Sequence, residues 1–341
     1  MKIIDIPSPK QQRIPQFENG FKAVFFVSTL LLSFYIAELV VRQQILDGMP
    51  ALKWGVIFGL GTVNAVLILG MGVLAHDAVH KVLFRNLLLN ELLGGLLSAF
   101  TFVPFYANRQ FHLTHHQYAH QSTLDPEHTM HGRSFLYAFF VGPHVGLLLQ
   151  QIIYLRNLFT RLFDKRYFWR GIGDSFFLTM AALFYFVFVP WLGISLLYSM
   201  LPTLLMFSIV FSCRALADHF ALPAVKTRAT LRKEVLDDGE TDWDKVVAER
   251  QQQVTGWVVL TNPVLEWLWS HVNYHEVHHK YPYLSHCHLK EVFELTKGTR
   301  PYFVVKGYWR HLLNVRNKKY YTSAEQLAES GHHIEIINIK F

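Results

Sequence analysis

Three stretches far apart in the chain carry residues that could do chemistry. His76 and His80 are spaced H-x-x-x-H; His112, His115 and His116 form H-x-x-H-H; and His275, His278 and His279 repeat H-x-x-H-H. On a helix, positions three or four apart lie one above the other, so each stretch aims two or three imidazoles in one direction. Imidazole suits iron, copper, zinc and nickel, whereas calcium and magnesium take oxygen ligands. Eight convergent imidazoles exceed the ordinary coordination number of one ion, which implies two metals. One His pair at helical spacing arises by chance; three clusters, two sharing one pattern, do not.

The order of these clusters, with the second about thirty residues after the first and the third far downstream between hydrophobic segments, resembles the membrane fatty acid desaturase and hydroxylase superfamily. The resemblance runs from about residue 50 to about residue 295. It implies an all-α polytopic membrane fold: four transmembrane helices in two hairpins, with a cytosolic helical cap holding a His-rich di-metal site. It also implies two non-haem irons and a further ligand from the end of a membrane span, for which His219 in Asp218-His219 is the candidate. The expected ligand set is therefore His76, His80, His112, His115, His116, His219, His275, His278 and His279.

Metal-bound histidine commonly gives its second ring N–H to a carboxylate or carbonyl. That makes Asp77, Asp125, Asp218 and Glu276 candidates for orienting the imidazoles; Glu127 reads equally as such a partner or as an ordinary solvated acid. Asp125, Pro126 and Glu127 stand where the family often has a D-P-D or D-P-E turn. Asn273, in an N-Y-H pattern also common among relatives, either holds a metal-bound water or caps a helix. The ten other histidines, among them His120, His128, His131, His271, His286 and His288, are expected not to be ligands.

Composition points the same way. Of 341 residues 51% are hydrophobic and mean hydropathy is +0.20, more than a soluble core requires. Cys213 and Cys287 provide neither a disulfide framework nor a C-x-x-C motif. The net charge of +7 is spread through linkers and not gathered into an aromatic-interleaved stripe, which argues against nucleic acid and for membrane orientation.

The elements that must position the clusters follow. Residues 1–20 are polar and show no signal peptide. Residues 21–41 and 54–75 are each long enough to cross a hydrocarbon layer of about 30 Å. The second of these runs ends directly at His76. Residues 174–192 and 195–217 form a second hairpin, ending near His219. The Lys and Arg residues between His76 and Gly173 predict that this region, the metal site and both termini lie on the cytoplasmic side. Residues 87–106 and 135–155, interrupted by polar residues, Gly and Pro, are expected to be shallow or re-entrant, because a full crossing would separate the clusters.

Residues 226–253 read as a charged, solvated linker plus a short helix. Residues 254–271 regain amphipathic character, with a helix start at Asn262 and Pro263 and with Trp257, Trp267 and Trp269 suited to a membrane interface. The membrane domain is placed at residues 21–295. The tail, 296–341, ends in an alternating pattern readable as strand or as disorder.

A methylene C–H is too weakly acidic for side-chain acid–base chemistry, whereas redox-active iron with O2 can attack it. The resemblance implies an O2-dependent oxidoreductase introducing a double bond into an acyl or lipid chain. Hydroxylation or ketolation of a carotenoid or alkane, and oxidative decarboxylation of a fatty acid to a terminal alkene, share the same ligand set. A metal-transporting or haem-carrying membrane protein is the reading from another class. The chain shows no haem-binding cytochrome b5 stretch, ferredoxin-like Cys array or dinucleotide fingerprint, so an external donor of ferredoxin or cytochrome b5 type is expected.

Overall fold

The computed structural model describes residues 6–44, 46–121, 123–130, 133–159, 164–222, 253–316 and 335–337. His131 and most of the charged segment 226–253 lie outside them.

The chain is mostly helical, and among the described residues four helices are long and apolar enough to cross a membrane: α1 (Gln16–Arg42), α2 (Pro50–Val79), α7 (Lys165–Trp191) and α8 (Leu196–His219). Their most apolar windows are 33%, 56%, 28% and 28% buried respectively, so α2 is the central helix and the other three leave most of their surface outward. Leu32 and Tyr35 on α1 and Leu197 and Leu201 on α8 are among the large exposed apolar side chains, an arrangement suited to lipid.

Helix α2 packs most extensively on α8. At their crossing a Cβ on Gly61 would stand 2.9 Å from the backbone carbonyl of Pro202, so only glycine permits this approach. One helical turn on, Asn64 Nδ2 donates to Thr203 Oγ1 at 3.0 Å. Lys22 of α1, fully buried, pairs with Glu18 at 2.8 Å and donates to Ser270 Oγ at 3.2 Å, tying α1 to the segment before the third cluster.

Between the long helices lie α3 (Leu87–Phe100), α4 (Phe105–Tyr118), α5 (Phe135–Phe140) and α6 (Gly142–Phe159). Pro104 ends the intervening turn, and α3 and α4 meet at 92°. Arg109 of α4 pairs with Glu91 of α3 at 2.7 Å and donates to the carbonyl oxygens of Ala78 and Val79 at 2.9 and 3.2 Å. These are among the last carbonyls of α2, which lack intrahelical partners. The ion pair thus fixes the second cluster against the first.

The all-α expectation needs one correction. A small sheet, ordered β1-β2-β3, joins β1 (Trp257–Leu260) in parallel to β2 (Tyr302–Lys306), which pairs antiparallel with β3 (Glu335–Ile337). β-Branched and aromatic residues dominate β1 and β2, and each finds its partner more than forty residues away, beyond the reach of a local pattern. The helix expected after Asn262 follows as α9 (Pro263–Leu268), with the Asn262 side chain accepting from Leu265 N at 2.9 Å. Trp257 is wholly buried and donates to Phe220 O at 3.0 Å, in place of an interfacial position.

Next come α10 (His275–Lys280), α11 (Leu289–Thr296) and, after β2, α12 (Tyr308–Val315), which packs on α8. The third cluster is therefore carried between two adjacent parallel strands. The polar N-terminal segment is anchored beside it: Gln12 receives Ser285 N at 2.7 Å, and His286 Nε2 lies 2.8 Å from Asn19 Oδ1.

Candidate metal centre

The three clusters and His219 converge. Helix α2 delivers His76 near its last turn, with His80 just past its end; α4 delivers His112, His115 and His116; α10 delivers His275, His278 and His279; and His219 is the last residue of α8.

Two sets form. In the first, ring nitrogens of His76, His80, His112, His116 and His278 lie within 4.8 Å of one another. His80 stands over a ring of the other four, with ring centroids 5.1, 5.0, 4.8 and 4.7 Å from His76, His112, His116 and His278. Around that ring the neighbouring centroids are 4.4–4.9 Å apart. In the second set, nitrogens of His115, His219 and His279 meet the same 4.8 Å limit, and His275 Nε2 lies 2.8 Å from His219 Nε2 and 3.1 Å from His279 Nε2. The sets adjoin where His116 and His279 stack at 4.2 Å.

Several of these nitrogens face one another directly. His112 Nε2 lies 3.0 Å from His80 Nε2 and 2.9 Å from His116 Nε2. Both ring nitrogens of His76, Nε2 of His115 and Nδ1 of His275 are buried without a hydrogen-bond partner among the described residues. Burial, followed by neighbouring imidazoles, holds His278 and His279 well below the ordinary histidine pKa, so they are neutral with lone pairs free to donate. Buried nitrogens left this way are costly unless something binds them, and a cation in each set would satisfy them.

Orientation comes from around the rings. His115 donates Nδ1–H to Asp125, whose two oxygens are both 3.0 Å away, leaving Nε2 to face the second set. Asp125 also accepts from His120 N at 2.6 Å and Glu127 N at 2.8 Å, so the D-P-E turn is folded around this carboxylate. His219 donates Nδ1–H to Thr255 O at 3.0 Å, a backbone partner that side-chain motifs could not reveal. Asp77 and Asp218 stand 3.9 Å from His76 Nδ1 and His275 Nδ1, beyond hydrogen-bond reach, and Asp218 pairs with Arg214.

Glu276 and Asn273 point elsewhere. Glu276 receives Thr255 N at 2.6 Å and Gly256 N at 2.7 Å and pairs with Lys280 at 3.0 Å, so it holds the Thr255 loop that in turn holds His219. Asn273 donates to Val259 O at 3.0 Å, fastening α10 to β1.

A cavity of about 210 Å³ opens onto both sets. His76, His112, His219 and His275 line it together with the apolar Leu69, Val73, Phe111, Leu147, Phe207 and Phe211. A smaller apolar cavity of about 40 Å³ shares Thr101 and Phe207 with it.

Fold and site define a helical membrane protein with a histidine-lined centre at the ends of two of its long helices. A model of the family described as fatty acid desaturase matches residues 52–310, and the chain belongs to that family. It is thereby an oxidoreductase of the membrane desaturase and hydroxylase type. A search of curated proteins gives no match.

Proposed function

We propose that this chain is an O2-dependent di-iron oxidoreductase of the membrane that introduces a double bond into a fatty acyl or related lipid chain. The supporting observation is that two adjoining sets of imidazoles border one cavity whose remaining walls are largely apolar. Non-haem iron, once bound, supplies the oxidising power that acid–base side chains lack toward a saturated C–H bond.

In this reading His76, His80, His112, His116 and His278 hold one ion, and His115, His219, His275 and His279 hold the other. Asp125 keeps a proton on His115 Nδ1, and the Thr255 carbonyl keeps one on His219 Nδ1, so that each presents its Nε2 lone pair inward. Leu69, Val73, Phe207 and Phe211 receive the hydrocarbon chain and exclude water from it.

Helices α1 with α2 and α7 with α8 are read as two hairpins, with the centre and termini on the cytoplasmic side. The Lys and Arg residues between His76 and Gly173 support that sidedness, and the same charges suit an acidic donor of ferredoxin or cytochrome b5 type. The test is lipid and hydrocarbon profiling by mass spectrometry of cells expressing wild type or His116→Ala. New unsaturated species in the wild type alone are expected. Identical profiles across acyl, sterol and carotenoid backgrounds would refute the reading.

A further inference from the structure

The two histidine sets are unequal, five imidazoles against four, and the smaller one has an acid beside it. Glu127 Oε2 lies 3.9 Å from His115 Nε2, the nitrogen that Asp125 leaves facing inward, and Oε1 lies 3.8 Å from His112 Nδ1. Both separations are too long for hydrogen bonds. The separation from His115 suits co-ligation, since two donors bound to one ion at about 2.0–2.2 Å stand roughly 3 Å apart when adjacent and roughly 4 Å apart when opposite; His112 faces its own set through Nε2.

The position is also fixed. Glu127 N donates to Asp125 Oδ1 at 2.8 Å, and Asp125 is the carboxylate that holds His115, so acid and imidazole are set by one anchor. Glu127 lines the cavity next to His112, His219 and His275. Nine neutral imidazoles would leave the full charge of two buried cations uncompensated at the donor atoms, and one anionic donor would offset part of it.

We propose that Glu127 is a carboxylate ligand of the ion held by His115, His219, His275 and His279, making that half of the centre a mixed imidazole and carboxylate site. This rests on the di-metal reading above. The alternative role, accepting a hydrogen bond from His112 Nδ1, is one that the amide oxygen of glutamine can also fill.

The experiment loads full-length wild type, Glu127→Gln and Glu127→His with iron-57 in detergent. It records Mössbauer spectra and iron retention against increasing chelator. In Glu127→Gln, one of the two iron signals should shift, and half the iron should leave at chelator concentrations lower by about tenfold or more. Glu127→His, which restores a donor, should regain the second ion. A Glu127→Gln protein with wild-type spectrum and retention, or a Glu127→His protein no better than Glu127→Gln, would overturn the proposal. A wild type that binds no iron pair would overturn the di-metal reading instead.

Discussion

The Asp174 carboxylate of α7 receives the backbone N–H groups of Tyr106 and Ala107 at 2.7 and 3.1 Å, capping the helix that carries the second histidine cluster. An acid in one long helix therefore sets the angle of another helix and the direction of three imidazoles. Asp174→Ala should destabilise the protein by about 1–2 kcal/mol, the usual range for a lost cap, and lower its metal content. Thermal unfolding in detergent checks the first effect and elemental analysis the second; a wild-type result in both would mean that α4 is held by Arg109 alone.

Asp125 fixes the ring of His115, so under the proposed di-metal reading its loss should be felt in metal retention. Asp125→Asn is expected to weaken metal retention by about 10- to 100-fold, as for other partners of ligating histidines. His120→Ala, by contrast, should cost far less iron than His116→Ala, although His120 Nε2 lies 3.2 Å from His219 Nδ1. Chelator titration of the three variants in parallel decides the order.

Phe207 lines both cavities, so its ring stands where they meet. Phe207→Ala should join them and shift the accepted chains toward greater length. The readout is the length distribution of unsaturated products in cells; a distribution matching wild type would show that the smaller cavity takes no part in chain binding.

His311 of α12 is wholly buried, with its ring 4.4 Å from that of Trp257, and burial pushes its pKa down to about 3. In the unfolded chain the same group titrates near 6.5. Between those values the unfolded state binds the extra proton, so the folded state loses stability as pH falls from about 6.5 toward 3. His311→Leu removes this contribution and should flatten the fall in melting temperature between pH 7 and pH 5. An equally steep fall in the variant would assign the acid sensitivity to other groups.

The reach of the sequence differed between levels. The long apolar runs marked all four candidate membrane helices because length and hydropathy are local properties, although their ends moved: α7 begins at Lys165, where the apolar run suggested Asp174. Helical spacing within each His cluster was legible for the same reason. What brings the clusters together was not, because Arg109 on the end of α2, Asp174 on α4 and Thr255 O on His219 are contacts across tens of residues. The sheet is non-local in the same way, with β1 and β2 pairing across more than forty residues. The alternation at the C-terminal end admitted a strand, but its partner β2 lies some thirty residues earlier in the chain.

The parallel pairing of β1 with β2 encloses the third histidine cluster between residues 257 and 306. A ribosome delivers the first strand some forty residues before the second, so α10 has no closed frame until the stretch through Lys306 has emerged. The centre can thus be assembled only late in synthesis. Only six of the nine candidate imidazoles precede β1, so the set is completed after the four membrane-length helices have been synthesised.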